Sequence, residues 1–180
     1  MADRVHIPPI APDEAQDGIR VVAMSDVGRV RDENQDFMGW FRVDDWQLLV
    51  VADGMGGHSG GFEASRIAVD IVRKNFVETA STQAPRDLLA SAIQQANAGV
   101  REVAAHNPEM EGMGTTIVVA MVQGGQAWIA HVGDSRCYLV RGGALTQLTA
   151  DHSRVNRMVE AGLLEPEAAE DHPMGHILER

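Results

Sequence analysis

The sequence has little cysteine, little basic charge and no long apolar run. Its single cysteine, Cys137, excludes an internal disulfide and suits a reducing compartment. With 15 basic against 26 acidic side chains, the formal net charge is −11, so the composition disfavours nucleic acid and anionic lipid as partners. The longest apolar runs, residues 48–52 and 117–122, are too short to cross a bilayer. We therefore expect a cytoplasmic protein without a nucleic-acid or membrane partner.

The fractions of hydrophobic and charged residues are typical of a folded domain. The chain has 180 residues, of which 44% are hydrophobic and 23% are charged, and this excludes disordered and fibrous classes. Residues 1–18 hold three prolines and four acidic side chains, so they are predicted to form a mobile acidic leader. The remaining residues, 19–180, are predicted to form one domain.

Apolar periodicity predicts an α+β order of elements. Strands are expected over residues 19–24 and 46–52, and apolar helix faces over 64–76 and 88–104. Strands joined by glycine turns follow over 115–122, 127–132 and 137–141, with a last helix over 153–161 entered through Asp-His-Ser. Two consecutive helices followed by a run of strands disfavour regular βαβ winding and favour a layered α+β domain.

Candidate ligands for a cation lie at the end of the predicted strand 46–52. Asp53 and Gly54 follow that strand and open a glycine-rich loop, which places carboxylate and carbonyl oxygens together. Mg²⁺ and Mn²⁺ prefer such oxygens, although Asp-Gly also serves simply to turn a chain. In the polar segment 25–36, Arg31 can bind a phosphate through bidentate hydrogen bonds, and Asp36 offers a second carboxylate for a metal. A plain surface loop would explain those charges equally well.

Four segments in order resemble a known family. They are SDVGRVRDENQD, VVADGMGGHSGGFEAS, GMGTT and AHVGDSRCYLVRGGALTQLTADHS, and together they are similar to bacterial metal-dependent Ser/Thr phosphatases of the phosphatase 2C (PPM) family. The resemblance covers about residues 18 to 180. It implies an αββα sandwich, in which two antiparallel β-sheets are flanked by helices.

The resemblance also implies a chemistry and a set of ligands. Two Mg²⁺ or Mn²⁺ ions would activate a water that hydrolyses phosphoserine or phosphothreonine in proteins, without a phosphoenzyme. By this resemblance Asp53 would bridge both metals, the Gly54 carbonyl would bind one, Asp36 would hold a metal or its waters, and Arg31 would bind the phosphate. Asp134 would contribute to a third metal site, turn a hairpin, or do both. A Ser/Thr kinase acting on the same protein substrates is the partner that the family implies.

The sequence departs from the family pattern near the site and at its end. Gln35 replaces a common glutamate, and Met55 stands where eukaryotic relatives carry a histidine proposed as general acid, which leaves His58 as a candidate. In the family, further strands with Ser-Asp-Gly and Asp-Asn motifs follow the segment that ends here at Arg180. We therefore expect a domain that lacks its last strands and two metal-binding aspartates. The alternative function is a catalytically impaired pseudophosphatase or phosphoprotein-binding module.

Other phosphate enzymes have little support in the sequence. No Gly-x-x-x-x-Gly-Lys-Ser/Thr motif is present, which disfavours a P-loop nucleotidase. A cysteine phosphatase needs an arginine six positions after its nucleophile, and Gly143 stands there relative to Cys137. Cys137 is therefore interpreted as a small core residue. Chelation of metal should abolish activity, whereas alkylation of the thiol should not.

Overall fold

The computed structural model describes residues 19–169, 172–175 and 177–178. The predicted leader, residues 1–18, lies outside them. The strand predicted over 19–24 is wrong: these residues form no strand, and the side chains of Val22 and Met24 are each 86% exposed. An alternating apolar pattern forms a strand only where it can pair with a neighbouring strand and pack on a core. Residues 19–24 do neither among the residues described.

Seven strands and four α-helices follow in the described part of the chain. They are β1 (Asp36–Val43), β2 (Trp46–Met55), α1 (Gly57–Thr79), α2 (Pro85–His106), β3 (Gly114–Thr115), β4 (Ile117–Gln123), β5 (Gln126–Val132), β6 (Tyr138–Arg141), β7 (Ala144–Gln147), α3 (Arg154–Glu160) and α4 (Pro166–Ala169). A short 3₁₀ helix, Pro108–Met110, leads from α2 toward β3. None of the helices described is both long and apolar enough to cross a membrane.

The strands form two antiparallel sheets, so the α+β prediction is confirmed. The larger sheet has the order β1-β2-β4-β5, and the two-residue strand β3 also pairs with the end of β2. Strands β6 and β7 form a separate hairpin. The register of the larger sheet sets Asp36 opposite Asp53, at the start of β1 and near the end of β2.

The core lies between the larger sheet and the two long helices. Along β2, the alternate residues Leu48, Val50 and Ala52 are buried, which is the period-2 pattern of a strand with one covered face. Helix α1 covers that face with fully buried apolar side chains such as Val72 and Phe76, and α2 packs on α1 and adds Leu88 to the same buried cluster. Burying each large apolar side chain contributes roughly 1.5–3 kcal/mol. This packing holds the ends of β1 and β2 in one fixed register.

Helix α3 begins at the Asp-His-Ser segment, as predicted. Ser153 is the N-cap residue, and its hydroxyl oxygen accepts a hydrogen bond of 3.2 Å from the backbone N–H of Asn156. Gly162, just past the end of the helix, has φ +68°, the left-handed conformation that commonly ends a helix.

Candidate metal centre

Asp36 and Asp53 face each other across β1 and β2. Side chains opposite each other in antiparallel strands have Cβ atoms about 4.5–5.5 Å apart. Partial burial raises the pKa of Asp53 above its ordinary value, and the charges of Asp36 and Asp134 and a hydrogen bond to Asp36 raise it further. The positive charge of Arg31 acts in the opposite direction. The structure thus brings Asp36, Asp134 and Arg31 within electrostatic reach of Asp53.

Gly54 occupies a position where no larger residue fits. A Cβ atom there would overlap the carbonyl oxygen of Gly61, in the first turns of α1, and would lie 2.8 Å from the carbonyl oxygen of Gln35. The Gly54 N–H donates to that Gln35 oxygen at 3.1 Å, and the buried Ser65 hydroxyl donates to it at 2.7 Å. The close approach that glycine permits therefore joins the beginnings of β1 and α1 to the end of β2.

Both backbone groups of Asp53 are hydrogen-bonded to the β3–β4 region. Its N–H donates to the hydroxyl oxygen of Thr116 at 3.1 Å. Its carbonyl oxygen accepts from the Thr116 N–H at 2.9 Å and from the Thr115 hydroxyl at 3.0 Å. These contacts fix the backbone from which the Asp53 carboxylate projects.

Asp134 lies in the turn that connects β5 to β6. After it, the Arg136 guanidinium makes a two-pronged ion pair with Asp151, with bonds of 2.9 Å from Nε to Oδ1 and 2.6 Å from Nη2 to Oδ2. This pairing raises the pKa of Arg136 above its ordinary value. Sequence reasoning missed the pair, because its partners are 15 positions apart and meet only once the turn is formed.

Arg31 lies exposed in the segment that leads into β1. Asn34 orders this segment: its side-chain oxygen accepts from the Asp36 N–H at 3.0 Å, and its side-chain nitrogen donates to the Ser25 hydroxyl at 2.6 Å. The guanidinium is near enough to lower the pKa of Asp53 while it remains open to solvent. The side chain of His58, the candidate proton donor, lies outside the described side chains.

The donor set fits a hard divalent cation. Within residues 19–169, 172–175 and 177–178, no three His, Cys, Asp or Glu side chains are grouped closely enough to hold a metal ion by themselves. The set would comprise the two paired carboxylates and the Gly54 carbonyl oxygen, and Mg²⁺ usually keeps several waters in such sites. A cation would also relieve the repulsion between Asp36 and Asp53 that raises the pKa of Asp53.

Comparisons with known proteins point to one family. The model of the family described as Protein phosphatase 2C matches residues 29–171. The serine/threonine phosphatase stp of Listeria monocytogenes is 39% identical over 160 residues, which are 87% of this chain and 64% of that relative. This chain therefore spans less than two thirds of the relative's length.

Solved structures are also similar to this one. The serine/threonine phosphatase of S. agalactiae superposes with a TM-score of 0.81 at 38% identity, covering 87% of this chain and 66% of that one. The catalytic domain of the serine/threonine protein phosphatase PstP, in complex with two manganese ions, superposes with a TM-score of 0.67 at 34% identity. That match covers 79% of this chain and 60% of the PstP chain.

Proposed function

The chain belongs to the protein phosphatase 2C family, and on that premise we propose that it takes part in metal-dependent hydrolysis of phosphoserine and phosphothreonine in proteins. The observation that carries the proposal is the pairing of Asp36 with Asp53 at the end of the sheet, with the charge of Arg31 acting on the same carboxyl. Two acidic groups beside one guanidinium suit a phosphate ester accompanied by cations.

Each predicted ligand has a role in this proposal. Asp53, Asp36 and the Gly54 carbonyl would hold two Mg²⁺ or Mn²⁺ ions, and Asp134 would contribute to a third. When bound, the cations supply Lewis acidity for the attack of water on phosphorus and neutralise charge on the phosphoryl oxygens. The two manganese ions of the PstP structure support the number of two.

Arg31 would orient the phosphoryl group. Its planar guanidinium donates parallel hydrogen bonds to two phosphoryl oxygens, and its exposed position leaves it accessible to a phosphorylated protein segment. Hydrogen bonds to charged groups contribute about 1.5–3 kcal/mol. The substrates proposed are phosphorylated proteins, with a Ser/Thr kinase as the partner that phosphorylates them and the cytoplasm as the location.

A phosphoprotein-binding module is the second candidate function. It is favoured by the finding that no three acidic, His or Cys side chains of the described chain come together as a metal site. Such a module would use Arg31 to bind a phosphate without hydrolysing it.

The deciding experiment measures phosphate release from a phosphothreonine peptide by the 180-residue chain with Mn²⁺, with chelator, and with Asp53→Asn. A second sample joins the chain to the C-terminal third of the Listeria monocytogenes relative. Metal-dependent release that Asp53→Asn abolishes, in either sample, supports the phosphatase. Release in the joined sample only would mean that these 180 residues supply part of the site. Peptide binding without release in both samples would favour the binding module.

A further inference from the structure

Thr116 lies between the two segments that carry Asp53 and Asp134. Its hydroxyl oxygen accepts a hydrogen bond from the Asp53 N–H at 3.1 Å and lies 2.6 Å from the hydroxyl oxygen of Ser135. Thr116 is only 4% exposed, so water does not compete effectively for these bonds. A hydroxyl has one proton and two lone pairs, so it can accept from Asp53 and at the same time donate to Ser135.

The methyl group of Thr116 lies against Gly133. A Cβ atom at position 133 would lie 2.7 Å from Cγ2 of Thr116. Gly133 also has φ +102°, a backbone conformation that residues with a side chain rarely adopt. Asp134 is therefore flanked on both sides by residues in contact with Thr116. One buried threonine touches the backbone of Asp53 and both neighbours of Asp134 in the chain.

The turn that carries Asp134 also has anchors of its own. The Gly133 carbonyl oxygen accepts from the His152 N–H at 3.0 Å, and Arg136 is paired with Asp151. These anchors tie the turn to the entrance of α3, whereas the Thr116–Ser135 hydrogen bond ties it to the junction of β3 and β4. Because Thr116 also accepts a hydrogen bond from the Asp53 N–H, the Thr116–Ser135 hydrogen bond links the backbone of Asp53 to the turn that carries Asp134.

We propose that Thr116 and Ser135 are positioning residues: the connection from the Asp53 N–H through both hydroxyls sets the separation of the Asp53 and Asp134 carboxylates. It thereby sets the affinity for the divalent cation that Asp134 helps to hold. The metal-binding part of this inference rests on the proposed function. Neither hydroxyl needs to touch substrate or metal for this role.

The test uses variants that separate hydroxyl from shape. Thr116→Val removes the hydroxyl and keeps the branched shape, Thr116→Ser keeps the hydroxyl, and Ser135→Ala removes the second hydroxyl. Thr79→Val is the matched control, because the Thr79 hydroxyl donates to the Asn75 carbonyl oxygen at the opposite end of α1. Ser135→Ala and Thr116→Ser are the mild changes that keep the test valid if Thr116→Val fails to fold.

The first measurement is the ¹⁵N order parameter of the Asp134 amide in the metal-free 180-residue chain. We expect it to fall in Thr116→Val and Ser135→Ala and to stay at the wild-type value in Thr116→Ser and Thr79→Val. An Asp134 amide that is equally ordered in all variants would overturn the positioning role.

The second measurement is calorimetric titration of Mn²⁺. Loss of a residue that supports a metal ligand typically weakens metal binding 10- to 100-fold. Asp134→Asn should weaken one Mn²⁺-binding step, and Ser135→Ala should weaken that same step by roughly 10- to 100-fold. In an Asp134→Asn background, Ser135→Ala should have no further effect. An equal loss in both backgrounds would show that Ser135 does not act through Asp134, and the inference would be wrong.

Failure of the proposed function would look different. A wild-type chain that neither binds Mn²⁺ nor releases phosphate, alone or joined to the C-terminal third of the relative, refutes the proposed function. The order parameter of Asp134 still decides the positioning role in that case: loosening on loss of either hydroxyl supports it, and no change overturns it.

Discussion

Replacing Asp53 by asparagine should stabilise the metal-free fold while removing its response to metal. Asp53 and Asp36 are directly opposite in adjacent strands, and like charges in that arrangement destabilise a sheet by about 0.2–1 kcal/mol. Asp36 is exposed and Asp53 is only partly buried, so solvent screening keeps the repulsion at this surface-pair scale. For a domain of this size, 1 kcal/mol corresponds to a Tm change of about 2–4 °C, so Asp53→Asn should raise Tm in chelator by about 0.4–4 °C.

The sign of the pH dependence follows from the direction of the pKa shift. The fold raises the pKa of Asp53 above its ordinary value of 3.8, so the folded state favours the protonated carboxyl. The stability contributed by protonation is complete below 3.8 and is lost as pH rises through the folded-state pKa. The Tm advantage of Asp53→Asn should therefore be present at pH 7.5 and shrink as the pH approaches 3.8.

Metal should reverse the order of stability. Mn²⁺ at 100 times its Kd stabilises the folded wild type by about 2.7 kcal/mol, which exceeds the gain from removing the repulsion. Differential scanning fluorimetry with chelator and then with Mn²⁺ makes both comparisons. Glu102→Gln, an exposed acid-to-amide change on α2, controls for net charge. A lower Tm for Asp53→Asn in chelator, or the same Mn²⁺ shift in both proteins, would refute the reasoning.

Three further changes test other parts of the structure. Arg31→Ala should lower kcat/KM for a phosphothreonine peptide roughly 10- to 160-fold, from the 1.5–3 kcal/mol of its charged hydrogen bonds, with unchanged Tm; an equal loss in Arg29→Ala would contradict a specific role. Burial raises the pKa of the Cys137 thiol, so alkylation by iodoacetamide at pH 7.5 should be slow and leave Mn²⁺ binding intact by calorimetry; lost binding would contradict its structural role. Ser153→Ala removes the hydroxyl that caps α3, so unfolding by urea should show a loss of about 1 kcal/mol that Ser153→Thr largely restores; equal losses would argue against capping.

Local patterns in the sequence predicted most of the elements. Strand β2, both long helices, the β4–β5 hairpin and α3 were predictable because each has a strong apolar period or a turn signal of its own. Strand β1 was missed. Its glycine, Gly39, interrupts the apolar pattern, and a Cβ atom there would collide with the ring of Phe41. Only the folded structure shows that this ring fills the place of a side chain.

The candidate site was predictable as residue types but not as an arrangement. Asp53 could be placed at the end of a strand from the sequence, whereas its partner Asp36 could not be set opposite it while β1 was unrecognised. The hydrogen bonds of Thr116 span 63 positions to Asp53 and 19 to Ser135, distances at which sequence periodicity carries no information. The roles of Asp36, Asp53 and Asp134 as metal ligands stay predictions until metal binding is measured.

The antiparallel pairing of β2 with β4 has a consequence for how the protein folds. The β1–β2 and β4–β5 hairpins are local in sequence, but Val51 must find Val118 across the whole length of both long helices. Closing that long loop costs entropy before its contacts stabilise anything, so this pairing should form late. The Asp53–Thr116 bond lies at the same junction and should form with it. A cation bound there would then slow unfolding far more than it speeds folding.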